Sequence, residues 1–195
     1  MADILHFDYD EALEDMLQVF WRQGFKTTTT KDLAKSANLS EGSIYNSFGS
    51  KRAVYLLALQ RYREHHIQFL EKIDRHESPL EGLREYWEKI ASFAFDKTRV
   101  NGCMIVNATI EECQDEEIKH FIVDVHNASE KRFKRALDRA ITVGELSPDT
   151  NTKALAQFLL HSSQGIRVLS RVNPSKQKMK NVVDGVMAVL DGNRV

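Results

Sequence analysis

An all-α fold is predicted by three observations. The chain has only 3 prolines and 9 glycines in 195 residues, whereas sheet-rich folds need frequent turn residues. Long stretches place apolar residues three and four positions apart, the period of an amphipathic helix. Helix start and stop signals separate these stretches into about nine elements. Hydrophobic residues make up 42% of the chain and charged residues 28%, the balance of a globular protein with a packed core.

The elements follow in order. Residues 10–23 carry Leu13, Met16, Leu17, Phe20 and Trp21 on one stripe, and Gly24 stops the helix as a C-cap glycine. Thr27 to Thr30 supply capping oxygens for a short helix containing Leu33, Ala34 and Ala37. Asn38-Leu39-Ser40 is a turn, and Ser40 caps a second short helix over 41–48 with Ile44 and Phe48 inward. After Gly49, Ser50 caps a long helix over 51–75. Ser78-Pro79 opens the next, running to about residue 96 with Leu83, Trp87, Ile90, Phe93 and Ala94 inward. Asn101 is expected to cap a helix over 102–113, and Asp115 starts one that reaches about 143, stopped by Gly144. Past the Ser147-Pro148-Asp149 turn, a helix covers about 152–171, and Asn173-Pro174 leads into the last, ending near 191.

Charge is uneven along this frame. Residues 1–15 hold six acids and no Lys or Arg, while residues 22–52 hold six bases (Arg22, Lys26, Lys31, Lys35, Lys51, Arg52) against Asp32 and Glu41. That local surplus is a modest phosphate-binding footprint within a chain of net charge −1. The acidic start matches neither a signal nor a transit peptide, and no apolar run approaches the roughly 18 residues that span a bilayer, so a cytoplasmic location and no membrane partner are expected. Cys103 and Cys113, about 15 Å apart if on one helix, cannot share a metal or a disulfide. Each reads either as a small buried hydrophobe or as a thiol sensor. His120 and His126 are about 9 Å apart along a helix, so no metal and no cofactor is expected. Nucleophile elbows, phosphate loops and dinucleotide fingerprints do not occur, which argues against an enzyme.

Two short helices joined by a three-residue turn fit a unit that lays its second helix in the major groove of DNA. The second helix must bury one side and leave its N-terminal residues and opposite face free. Phe20-Trp21-Arg22-Gln23-Gly24-Phe25, Thr29-Thr30-Lys31-Asp32-Leu33-Ala34, and Leu39-Ser40-Glu41-Gly42-Ser43-Ile44-Tyr45-Asn46-Ser47-Phe48-Gly49-Ser50-Lys51 closely resemble the N-terminal module of TetR-type repressors. The likeness runs from residue 10 to 59. It implies a helix-turn-helix domain over 1–50 and a ligand-sensing, dimerising domain over 51–195. It also implies that Thr29, Thr30 and Tyr45 reach phosphates, that Glu41, Gly42, Ser43 and Asn46 lie along base edges, and that Lys51 adds charge beside helix amides. Glu41 departs from the family's neutral or basic reader at that position. It reads either as an acceptor for cytosine's amino group or as a helix-start acid favoured by the dipole.

The stretch Gly102-Cys103-Met104-Ile105-Val106-Asn107-Ala108 resembles the start of the sixth helix in one branch of this family. The family's architecture implies a pocket for an unidentified small-molecule effector, and Trp87, Phe93, Cys103, Met104, Asn107, Phe121, Val125, His126, Phe158 and His161 are its candidates. An apolar or aromatic effector is expected, because few charged residues fall on the inward faces. The last two helices imply a homodimer through Leu155, Leu159, Ser162, Ile166, Val182, Val183, Val186, Met187 and Leu190. The function expected is a repressor that binds a palindromic operator as a dimer and is released by its effector. The alternative is a partner-binding adaptor of the same fold without DNA binding.

Overall fold

The computed structural model describes residues 7–96, 101–172 and 175–194, and among these it is built of nine α-helices and one 3-10 turn. In chain order they are α1 (Tyr9–Gln23), α2 (Thr30–Ser36), α3 (Glu41–Phe48), α4 (Lys51–Arg75), α5 (Pro79–Ser92), α6 (Met104–Glu111), α7 (Glu116–Thr142), α8 (Thr152–Leu169) and α9 (Lys176–Asp191). The Asn173-Pro174 lead-in to α9 lies outside the described residues.

Side-chain caps explain most of the starts. Asp8, Ser40, Ser50, Ser78, Asp115, Asn151 and Ser175 each accept a hydrogen bond from a first-turn amide. Thr29 and Asp32 form a reciprocal capping box at α2.

Two elements differ from the sequence expectation. The stripe that begins in α5 does not stay helical to residue 96, because the chain tightens into a 3-10 turn over Phe93–Phe95. Asn101 does not cap α6. Gly102 takes φ +75°, outside the helical region, so the helix starts only at Met104, with Cys103 in the cap position and no side-chain cap bond. A side chain at Gly102 would meet Cδ of Arg171 at 2.8 Å, so the close approach of α8's end also requires glycine here. Cys113 falls beyond the end of α6, and both cysteines are free.

The core divides in two. Leu13, Met16, Leu17 and Phe20 of α1, Leu33 of α2 and Ile44 of α3 close over Val54, Tyr55, Ala58 and Leu59 from the first half of α4. The same cluster continues into Met104, Ile105 and Ala108 of α6 and Ile118, Ile122 and Val125 of α7. The second cluster joins Leu70 and Ile73, from the far half of α4, to Leu83, Trp87 and Ile90 of α5, Phe133 and Leu137 of α7, and the inner faces of α8 and α9. Packing therefore runs across residue 50 without a break.

That second cluster corrects the expected interface. Leu159, Ile166, Val183, Val186, Met187 and Leu190 are buried within the monomer's own core, with Leu155 packed against it, so none of the six presents a free face. The apolar stripes of α8 and α9 are wide enough to fill that core and still leave Ser162 half-buried and Val182 exposed on the outside.

Gly24 caps α1 in a conformation that L side chains rarely adopt. It has φ +79°, and a Cβ built on it would lie 2.6 Å from Oε2 of Glu111. Gly24→Ala should lower stability by about 1 kcal/mol or more, read as a lower urea midpoint at unchanged slope.

Candidate functional site

The helix-turn-helix is held by short-range bonds that decide which groups stay free. The Thr29 hydroxyl accepts from the Asp32 amide at 3.1 Å and donates to Oδ2 of Asp32 at 2.7 Å, so its proton is committed to the cap. Thr30, one residue on, makes no hydrogen bond through its hydroxyl among the described residues and sits at the exposed start of α2. The Ser43 hydroxyl lies 2.9 Å from that of Ser40 and is partly drawn into the cap of α3. Ile44 and Phe48 anchor α3 in the core, and the opposite face presents Glu41, Gly42, Tyr45 and Asn46 to solvent. Tyr45 is 70% exposed, an aromatic ring that no intramolecular packing explains. A Cβ on Gly42 would meet nothing closer than Oγ of Ser40 at 3.7 Å, so the monomer itself does not require glycine there.

The basic footprint is smaller in space than in sequence. The Lys51 ammonium donates to the carbonyl oxygens of Phe25 (3.0 Å) and Thr28 (2.9 Å) and sits 4.4 Å over the Phe25 ring. Two of its three donors are thereby taken, which leaves one for a phosphate. In the folded chain Lys51 ties the α1–α2 connection to the start of α4. Lys26 donates to the Glu111 carbonyl at 3.1 Å. Arg52 holds Asp115 through two bonds of 2.7 and 2.8 Å and Glu117 through a third of 2.8 Å. Lys31 and Lys35 remain exposed on α2 and Arg22 at the end of α1.

A cavity of about 610 Å³ opens between α1, α4, α5 and the end of α8, within the usual range for a small-molecule site. Trp21, Tyr62, Phe69 and Phe93 give it an aromatic lining, and Lys72, Lys89 and Arg167 stand on its walls with Glu14 and Asp96. Among the ten expected pocket residues, Phe93 lines this cavity. Cys103, Val125 and His126 border a separate void of only about 10 Å³, shared with His66 and Arg167. Trp87 is wholly buried in the second core, Met104 in the first, and Phe121 lies under the Arg63 guanidinium, 5.3 Å from its ring centre. Asn107 is satisfied within the chain, donating to the Asn101 carbonyl at 3.1 Å and accepting from Arg171 at 2.9 Å. Phe158 and His161 point outward from α8, away from the cavity.

Comparison with known proteins decides the family. Residues 13–58 match the profile of bacterial regulatory proteins of the tetR family, and residues 79–186 match the tetracyclin repressor-like C-terminal domain. The chain belongs to the TetR family. It is 28% identical over 188 residues to the HTH-type transcriptional regulator YezE of Bacillus subtilis, covering 95% of this chain and 97% of the relative. It is 26% identical over 182 residues to the HTH-type transcriptional repressor ComR of Escherichia coli, covering 90% and 85%. Among solved structures, the TetR family regulator CifR, as a triple cysteine mutant complexed with 26-bp operator DNA, superposes with a TM-score of 0.85 at 25% identity, covering 96% of this chain and 98% of that one. This TetR-family chain is thus an all-helical transcriptional regulator with a DNA-binding domain, in a family of regulators and not of enzymes. No helix among the described residues is long and apolar enough to cross a membrane.

Sequence reasoning missed the centre of this regulator's cavity. Arg167 donates to the Tyr86 hydroxyl at 3.2 Å, its Nε is buried without a partner, and it makes no ion pair among the described residues. Its field shows in its neighbours. Burial, and then Arg167, His126 and Arg132, push the His66 imidazole down to about 3. His126 is lowered by burial, then by His161 and Arg167. The Cys103 thiol is lowered although burial opposes it, because Arg167, an amide and the Tyr62 hydroxyl favour the thiolate. A signal was present: Arg167 falls four residues after Ser163 and seven after Leu160, both buried, so it is a lone cation on the inner side of α8.

Asp115 joins the two halves through Arg52, and the hydrogen bonds from Arg52, with those from the Ile118 and Glu117 amides, hold its carboxyl at about 2. A folded-state value below the unfolded one, about 3.9, means the stabilisation is present above that pH and is lost as pH falls toward 2. Asp115→Asn should therefore flatten the pH dependence of the urea midpoint between about 4 and 2.

Proposed function

We propose that this chain is a homodimeric transcriptional repressor that grips a palindromic operator through α3 and releases it when a small molecule fills the cavity between α1, α4, α5 and α8. The observation that carries the reading is the free face of α3, where exposed Tyr45 stands beside Asn46 and the uncrowded Gly42. An exposed aromatic and an amide on a short helix suit phosphate contact and adenine readout respectively. Thr30, Lys31 and Lys35 on α2 supply further phosphate contacts, while Thr29 and Lys51 position the unit. That the relative ComR is named a repressor, and that CifR was solved on operator DNA, supports the reading. Residues 1–50 then form the DNA-binding unit and 51–195 the sensing and dimerising part.

The outer faces of α8 and α9 support dimerisation. Phe158, Gly165 and Leu169 on α8 and Val182, Gly185 and Val189 on α9 are exposed at three-, four- and seven-residue spacings. A Cβ on Gly165 or Gly185 would meet nothing within 4 Å in the monomer. Apolar residues around small ones let two helix pairs approach closely. A dimer built here spaces two recognition helices about 34–36 Å apart, one turn of DNA. Ligand favours a conformer with the wrong spacing, so operator must weaken ligand binding by the same factor. Equal ligand affinity with and without operator would overturn this release mechanism.

The adaptor alternative draws on Glu41, exposed at the start of α3 where DNA phosphate would repel it. Selection from a random DNA library at one stated salt concentration separates the two: a palindromic site supports the repressor, and no site from a folded dimer supports the adaptor. On the selected site, Asn46→Ala should weaken binding about 5- to 100-fold and relax preference at one base pair. Lys31→Gln should reduce the slope of log affinity against log salt by about 1. Gly165→Arg should halve the mass in sedimentation while leaving the monomer's helix content intact, because the space it enters is open.

A further inference from the structure

The cavity carries more cationic charge than an apolar effector would require. Lys72, Lys89 and Arg167 all face it, and none makes an ion pair among the described residues. Arg167 is the deepest of the three. Its guanidinium has the Tyr86 hydroxyl and the Cys103 thiol for company and a buried Nε without any partner. Leaving a guanidinium buried without a counter-charge is costly, and an anion held by charge-assisted bonds relieves that cost. The wall carboxylate Glu14 is engaged elsewhere. Glu14 is taken up by Gln18 at 3.0 Å and faces His65 at 3.8 Å, at the α1 side. The rings of Trp21, Tyr62, Phe69 and Phe93 share the wall with these cations, Lys89 lying 5.6 Å over the Phe93 ring, and the Trp21 indole is pinned by its N–H donating to the Gly102 carbonyl at 3.2 Å.

We infer that the effector is a compact aromatic carboxylate, its anion held at Arg167 and its ring among Trp21, Tyr62 and Phe93. This deepens the proposed function and rests on the cavity being the effector site. It adds an anionic group to the apolar or aromatic effector that the sequence led us to expect, and it adds a route of action. Leu17 and Trp21 belong to α1, which is packed in one core with α2 and α3, so a ligand here touches the DNA-binding unit directly as well as α8. Lys72 and Lys89, with exposed heads at the rim, attract the anion on its way in.

The test is calorimetric titration of the full chain, without DNA, with cinnamate, 3-phenylpropionate and 1-naphthoate, each beside its primary amide. At least one acid should bind about 10-fold or more tightly than its amide, the margin of one charge-assisted contact. Arg167→Gln should abolish that preference and Arg167→Lys should retain part of it. Heat denaturation gives a second reading: an arginine kept for ligand leaves the free Arg167→Gln chain as stable as the parent or more so, whereas a purely structural one lowers its Tm. Should Arg167→Gln fail to fold, Lys72→Gln with Lys89→Gln, both at exposed positions, should reduce the acid-over-amide preference. Equal binding of acids and amides, no binding by any of the three acids, or a preference that survives Arg167→Gln overturns the assignment. Because no DNA is present, these outcomes stand apart from whether the chain binds an operator.

Discussion

The continuity of α4 through two cores is the constraint on which the rest of the molecule depends. Its first half gives Val54, Tyr55, Ala58 and Leu59 to the cluster that holds α1, α2 and α3, and its second half gives Leu70 and Ile73 to the cluster that holds α5, α8 and α9. A 25-residue helix is about 37 Å long and cannot bend sharply without a break in its bonding. A shift at one end is thereby carried to the other. α6 and the start of α7 strengthen the link, because Met104, Ile105 and Ile118 lie in the DNA-binding core although they belong to the larger domain.

Polar contacts lock the same junction. Lys51 satisfies two carbonyls of the α1–α2 connection, Lys26 reaches the end of α6, and Arg52 binds the cap of α7. Three of the six bases that suggest a phosphate-binding surface thus position the reading unit. The remaining bases lie on α2 and at the end of α1, near the free face of α3.

The cavity opens beside this junction. α1 and α4 meet through Phe20 and Tyr55, whose ring centres are 5.0 Å apart, and through Trp21 and Tyr62 at 5.4 Å, and the latter pair belongs to the cavity wall shared with α5 and α8. Arg167 stands on the wall of that opening, and burial, with Arg167 adding to it, lowers the His66 and His126 imidazoles nearby. A half-buried guanidinium set in an aromatic wall is chemically selective for what enters the cavity.

Much of the fold was legible in the sequence because caps and periodicity are local. Ser40, Ser50, Ser78 and Asp115 mark helix starts through bonds to amides three residues away or fewer, and α3 and α4 begin and end where those signals put them. The exposed face of α3 was legible for the same reason, since Ile44 and Phe48 fix which side is buried. What the residues could not reveal depended on distant neighbours. Whether an apolar side chain on α8 faces its own core or a partner is decided by how α5 and α7 lie against it, and this put Leu159 and Ile166 inside and Phe158 and Leu169 outside. Lys51 commits two of its donors to carbonyls 23 and 26 residues earlier in the chain, which no local signal announces. The binding cavity, too, is a gap between four helices that no single stripe encodes. Sequence by itself determined the helices, their order and the face of α3 left exposed, through interactions a few residues long. Tertiary packing alone decided which charges are free and where the chain leaves room for a ligand, because both depend on side chains that meet only across the fold.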